Sequence, residues 1–112
     1  MDGRRLATID VGTNTILLLV AELGKKGGFR FIEDRAEITR LGEGVDRSGL
    51  LGEGGQERTL EVLRGYCERC RSLNVEEIDV AGTSALRDAR NAGDFKARLK
   101  RELKLDLRVL AP

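Results

Sequence analysis

Two apolar segments separated by only three residues set the strongest limit on how this chain can fold. Residues 5–11 alternate apolar and polar side chains over a short stretch, the pattern of a strand. Residues 15–22 form an almost continuous aliphatic run rich in Ile, Leu and Val, which predicts a strand buried on both faces. Only Gly12, Thr13 and Asn14 lie between them, so the two strands are expected to pair as an antiparallel hairpin.

The rest of the chain extends that hairpin. Residues 24–28 are glycine- and lysine-rich and make a second turn. Residues 29–40 read as a third strand whose many charges place it near a sheet edge. Residues 41–55 hold six glycines and read as a loop. Leu60, Leu63, Cys67 and Cys70 then recur every three or four residues, which predicts a helix over 56–73. A short strand follows over 76–83, centred on Ile78 and Val80. Asn91, with Asp94 three residues on, has the form of a helix cap. The helix it opens presents Phe95, Leu99 and Leu103 at a spacing of four, and residues 105–110 close the chain as a strand. The order β-β-β-α-β-α-β predicts an α/β fold with a mixed sheet, three antiparallel strands being followed by helix-connected ones.

Composition removes several classes of chemistry. The 112 residues contain no histidine, which excludes a serine–histidine–aspartate triad, a histidine general base and any zinc site that needs an imidazole. There is no tryptophan, and Tyr66, Phe29, Phe31 and Phe95 are the four aromatic residues, too few for a base-stacking platform. Twenty basic and nineteen acidic residues give a net charge of +1, so bulk charge predicts no polyanion partner, nucleic acid included, and any anion site must be local. The basic run Lys96, Arg98, Lys100, Arg101 and Lys104 reads as a solvated helix face. The longest apolar run, residues 16–21, is far shorter than the roughly 20 residues a spanning helix needs. With two cysteines and no secretory leader in view, the expectation is a soluble, cytoplasmic protein without membrane contact. Cys67 and Cys70 form a Cys-x-x-Cys, but they lie deep inside the helical pattern of residues 56–73 at apolar positions. A redox pair sits at a helix N-terminus, so these two are read as core residues.

Three segments carry groups suited to binding an anion. In the first, Asp10 ends a strand and Gly12, Thr13, Asn14 and Thr15 offer hydroxyls, an amide and backbone N–H groups, a dense donor set for phosphate. A carboxylate beside a phosphate is repulsive unless a divalent cation lies between them, which favours Mg²⁺ at Asp10. The alternative is a polar hairpin turn closed by Asp10. In the second, Arg40 stands beside the bend Leu41-Gly42-Glu43-Gly44, which also reads as a plain connecting loop. In the third, residues 81–91, a strand ends in Thr83 and Ser84, and Arg87 follows with two parallel N–H donors suited to phosphate. The same residues also suit an ordinary helix cap with solvated arginines.

These segments, Ile9-Asp10-Val11-Gly12-Thr13-Asn14-Thr15, Arg40-Leu41-Gly42-Glu43-Gly44-Val45 and Ala81-Gly82-Thr83-Ser84-Ala85-Leu86-Arg87-Asp88-Ala89-Arg90-Asn91, occur together and in order. In that order they resemble the N-terminal part of the exopolyphosphatase / guanosine pentaphosphate phosphatase family. The first motif is shared more loosely with the actin, sugar-kinase and heat-shock ATPase superfamily, whereas the second and third are more specific. Threonines stand where serines are more usual in the first motif, and Gly82 stands where alanine is common. The resemblance implies a ribonuclease-H-like subdomain of the actin-like ATPase superfamily. It implies hydrolysis of a terminal phosphate of inorganic polyphosphate or guanosine pentaphosphate with Mg²⁺. By motif, Asp10 falls on the metal side. Gly12, Thr13, Asn14 and Thr15 form the first phosphate loop, and Ser84, Arg87 and Arg40 contact phosphate. The family continues past its last strand here with a Ser-Gly-x-Glu-Glu segment whose glutamate is the proposed base. That base is therefore expected beyond Pro112, and residues 1–112 read as an N-terminal subdomain cut after its last strand, inactive alone and partnered by the rest of a parent polypeptide. Two other readings stand beside it, a fragment of an ATPase or sugar kinase and a non-enzymatic phosphate-binding module. A sheet left partly uncovered makes a homodimer a further expectation.

Overall fold

A computed structural model describes residues 3–111. Strands β1 (Arg4–Val11), β2 (Thr15–Leu23) and β3 (Phe29–Ile38) come first, followed by helices α1 (Val45–Ser48) and α2 (Glu53–Ser72). Strand β4 (Glu77–Gly82), helices α3 (Ser84–Asp88) and α4 (Ala92–Leu103), and strand β5 (Leu107–Val109) complete the chain. The sheet runs β3-β2-β1-β4-β5. The three-residue turn makes β1 and β2 antiparallel, with Val11 opposite Ile16 and Arg4 opposite Leu23. β3 adds antiparallel to β2, with a register shift at Val20/Ala21. Helical crossovers then bring β4 parallel to β1, and β5 parallel to β4.

One side of the sheet is the core. Ala7, Ile9 and Val11 of β1, Ile16, Leu18 and Val20 of β2, and Val80 of β4 are buried together with Leu60, Leu63 and Tyr66 of α2 and Phe95 and Leu99 of α4. The Tyr66 hydroxyl donates to the Ile16 carbonyl at 2.9 Å and pins α2 across β2. Glu22, fully buried, accepts from Arg5 and from Arg30, each at 3.1 Å, and so fastens β1, β2 and β3 to one another. Arg5 also donates to the Leu73 carbonyl at the end of α2. Helix α2 carries Glu53 in its first turn and Arg69 and Arg71 in its last, both favourable to the helix dipole.

Three expectations from the sequence need correction. β2 is buried on one face only, because α2 and α4 share a single core and Leu17 on the opposite face is 44% exposed. Residues 41–55 are not all loop: α1 forms between the left-handed glycines Gly44 and Gly49, and α2 begins at Glu53. Asn91 precedes α4 without capping it through its side chain. That amide is occupied elsewhere, taking a hydrogen bond from the Leu51 N–H at 2.7 Å and donating to the Leu51 carbonyl at 3.0 Å.

Candidate functional site

The three sequence segments meet at the ends of β1 and β4, on the edge where parallel-strand sheets commonly place a ligand crevice. The hairpin turn after β1 closes with the Gly12 N–H donating to the Thr15 carbonyl at 3.0 Å. Its carbonyls do the joining. The Thr13 carbonyl accepts from the Gly42 N–H at 2.9 Å, and the Asn14 carbonyl accepts from both the Thr39 and the Arg40 N–H, at 2.9 and 3.0 Å. The third segment arrives through side chains: the Thr13 and Ser84 hydroxyls share a hydrogen bond of 2.8 Å. The Thr83 N–H adds a longer bond to the Val11 carbonyl.

Gly42 is the closest point of this junction. A β-carbon there would lie 2.3 Å from Thr13 Cγ2 and 3.3 Å from the Ala85 β-carbon, so the three segments meet only because position 42 has no side chain. Arg40 adopts a left-handed backbone (φ 51°) that a non-glycine residue seldom takes, held there by its N–H bond to Asn14. Gly55 of α2 packs beneath the same bend; a β-carbon there would stand 3.1 Å from the Arg40 carbonyl.

Each candidate residue can be placed. Gly12, Thr13, Thr15 and Ser84 are half-buried in the junction, while Asn14 is exposed at the tip of the turn. The Arg40 side chain is exposed and makes no hydrogen bond or ion pair among the described residues, which leaves its guanidinium open to an anion. Asp10 is exposed on the face of the sheet opposite the core, opposite Leu17 of β2 and Ala81 of β4. Arg87 is exposed, and one of its Nη groups donates to the Leu110 carbonyl at 2.8 Å. That bond spends one donor and ties the third segment to the end of β5. Thr83 makes no side-chain cap, which removes the simplest structural account of the Thr83-Ser84 pair.

Two further residues hold the site together, both inside the third motif but without an individual role in the site assigned to them from the sequence. Asn91 clamps the Leu51 backbone, and Arg90 donates to the Ser48 carbonyl at 3.1 Å, so the segment after Gly42 is strapped to the start of α4. Both partners are main-chain groups some forty residues away. Part of the basic run of α4 is paired, Arg98 meeting Glu53, Glu57 and Glu102 and Lys100 meeting Asp106. Cys67 and Cys70 are buried and unoxidised within α2. Burial pushes the Cys70 thiol up to about 11, the opposite of what an attacking redox thiol requires.

A mixed five-stranded sheet of this order, with its loops joined at the ends of β1 and β4, is a ribonuclease-H-like subdomain of the actin-like ATPase superfamily. The sequence pattern of the Ppx/GppA phosphatase family matches residues 19–112. Exopolyphosphatase 1 of Mycobacterium tuberculosis is 30% identical over 106 residues, covering 95% of this chain and 31% of that protein. Exopolyphosphatase 2 of the same organism is 36% identical over 96 residues, covering 83% of this chain and 30% of that protein. The crystal structure of the Ppx/GppA family member of Aquifex aeolicus superposes with a TM-score of 0.93 at 37% identity, over 97% of this chain and 35% of that one. The chain belongs to the Ppx/GppA phosphatase family, a family of hydrolases, and spans about a third of the length of these relatives. No helix among the described residues is long and apolar enough to cross a membrane.

Proposed function

We propose that residues 1–112 are the N-terminal ribonuclease-H-like subdomain of an exopolyphosphatase, a cytoplasmic enzyme, and supply one wall of its phosphate-binding cleft. The observation that carries this reading is the 2.8 Å bond between Thr13 and Ser84, which joins the first and third motifs across 71 residues beside the Gly42 bend. The Thr13 and Ser84 hydroxyls meet there, and the Arg40 N–H bonds to the Asn14 carbonyl of the same turn, so that hydroxyls and an exposed arginine come from one junction, groups of the kind a polyphosphate chain requires. Arg87 retains further N–H donors for phosphate while one of them holds Leu110. Guanosine pentaphosphate ends in the same phosphoanhydride and is the second substrate this wall suits.

Mg²⁺ fits the donor set in a limited way. Among the described residues, Asp10 is a single exposed carboxylate without a hydrogen-bond or ion-pair partner, and no cluster of three or more acidic, cysteine or histidine ligands exists. Mg²⁺ is commonly held by one or two carboxylates together with substrate phosphates and water, so Asp10 would hold it only jointly with the bound phosphate. When bound, the ion would screen the phosphate charge. This chain's own residues would orient the terminal phosphate between the hairpin turn and the third motif, which is positioning rather than water activation.

The test is direct. With Mg²⁺ at low salt the 112-residue chain should bind polyphosphate, and Arg87→Ala should weaken that binding about tenfold, the worth of one charge-assisted contact. Arg108→Ala, which removes an arginine paired with Asp79, is the control. The chain alone should release no orthophosphate, because in-line hydrolysis also needs an activated water. Equal binding by the Arg87→Ala chain removes the role given to Arg87. Orthophosphate release that disappears with Asp10→Asn overturns the division of labour.

A further inference from the structure

Helix α2 carries the molecule's two thiols three residues apart on its buried side, away from the phosphate loops. Side chains so spaced have β-carbons about 5–6 Å apart, a separation that two sulfurs can bridge around one ion. Both thiols line a single surface pocket of about 370 Å³, whose walls include Ile78 and Leu105. Arg71 and Lys104, both exposed, also border it. Its two carboxylates, Glu76 and Asp106, are already paired with Arg4 and Lys100. Of the charges that reach the thiols, Arg71 favours the thiolate of Cys67, while Glu68 opposes it there and Glu33 opposes it at Cys70.

The donor count decides what such a place can hold. Two sulfurs are present, the sequence has no histidine, and among the described residues no third acidic or thiol ligand joins them. Zinc in a structural site wants four ligands, and Mg²⁺ or Ca²⁺ wants oxygens, so both are poorly served. Soft thiolates select soft cations, and a d¹⁰ monovalent ion is satisfied by two of them. We propose that Cys67 and Cys70 form a two-sulfur site for one soft monovalent cation of the copper(I) and silver(I) class, entered through this pocket. On binding, two S–H bonds break and two sulfur–metal bonds form. The two protons pass to solvent and no electron is transferred. The bound unit carries one net negative charge, which Arg71 beside Cys67 offsets in part.

Titration of the reduced chain with copper(I), without oxygen and against a chromophoric copper(I) chelator, tests this. The wild-type chain should withdraw one equivalent from the chelator, Cys67→Ser and Cys70→Ser should each lose that withdrawal, and zinc(II) should not compete for the site. Failure of the wild-type chain to withdraw copper overturns the proposal, as does wild-type behaviour in either folded variant or displacement by zinc. Should the serine variants unfold, maleimide labelling of the wild-type chain decides. Protection of both thiols by one equivalent of silver(I) supports the site, and labelling at the metal-free rate overturns it.

Discussion

At the scale of single residues, the candidate site is held by contacts of two kinds, and only one kind could be read beforehand. Thr13, Ser84, Arg40 and Arg87 announce themselves because their side chains are donors placed at the ends of apolar segments. Asn91 and Arg90 lie in the third motif but their roles do not show there, since their partners are the main chain of Leu51 and Ser48, and no side-chain pattern encodes a bond to a distant backbone. The Asn91 side chain fits a helix cap in the sequence and serves as a clamp in the fold. Gly42 lies between these cases: its position in a glycine-rich bend was evident, but its closeness to Thr13 was not. Gly42→Ala should cost about 1–3 kcal/mol, the ordinary penalty of overpacking. For a domain of this size that corresponds to a fall in Tm of roughly 4–8 °C per kcal/mol. The new methyl must displace Thr13 and with it the bond to Ser84, so polyphosphate binding should fall further than in the equally mild Gly52→Ala, whose β-carbon would meet open space. Calorimetry and a binding titration on both variants check this, and equal melting and binding would show that the junction is looser than its distances imply.

At the scale of elements, the hairpin and the two long helices follow from periodicity, whereas the misread parts were too short or too apolar to be diagnostic. Helix α1 has four residues and no repeat to detect. β2 has enough aliphatic residues to suggest cover on both faces, but burial depends on what packs there, which the strand's own sequence does not contain. Glu22 is the least expected residue of β2, a carboxylate at a fully buried position in an apolar run. Burial acts to raise its carboxyl, but hydrogen bonds and attraction from Arg5 and Arg30 outweigh that and hold it below the usual carboxylate range. A carboxyl lower in the folded than in the unfolded chain stabilises the fold fully above the unfolded value, near about 4.3, and loses that contribution as pH falls toward the folded value. Glu22→Gln should therefore melt below the wild type by a constant margin above roughly pH 5.5, and the margin should shrink as the pH is lowered through 4. Melting curves at a series of pH values measure it. A margin that does not change with pH would mean that the two arginines do not govern this carboxyl.

At the scale of the whole molecule, one layer of helices covers one face of a five-stranded sheet, and the other face meets solvent along β2 and β3. Leu17 is 44% exposed, Phe31 59% and Ile38 66%, and Phe29 and Phe31 stack edge-to-face with ring centres 5.2 Å apart. Alternation places Phe29 and Phe31 opposite Leu23 and Ala21 on this same face, so the apolar side chains are contiguous rather than scattered. Contiguous exposed apolar surface is what drives association in water, and isolated exposed residues do not. The edge strand β3 works against unrestricted pairing, since Arg30, Glu33, Asp34, Arg35 and Glu37 interrupt it with charge. Those two tendencies together predict limited face-to-face self-association of the 112-residue chain rather than strand-by-strand growth. Sedimentation velocity over a hundredfold range of concentration should show a reversible monomer–dimer exchange. Phe31→Lys should move the exchange toward monomer. Its melting temperature should stay close to the wild type, because Phe31 contributes little to the core cluster. A chain that remains monomeric at the highest concentration, or a Phe31→Lys variant that dimerises as readily, would show that this face does not mediate the contact.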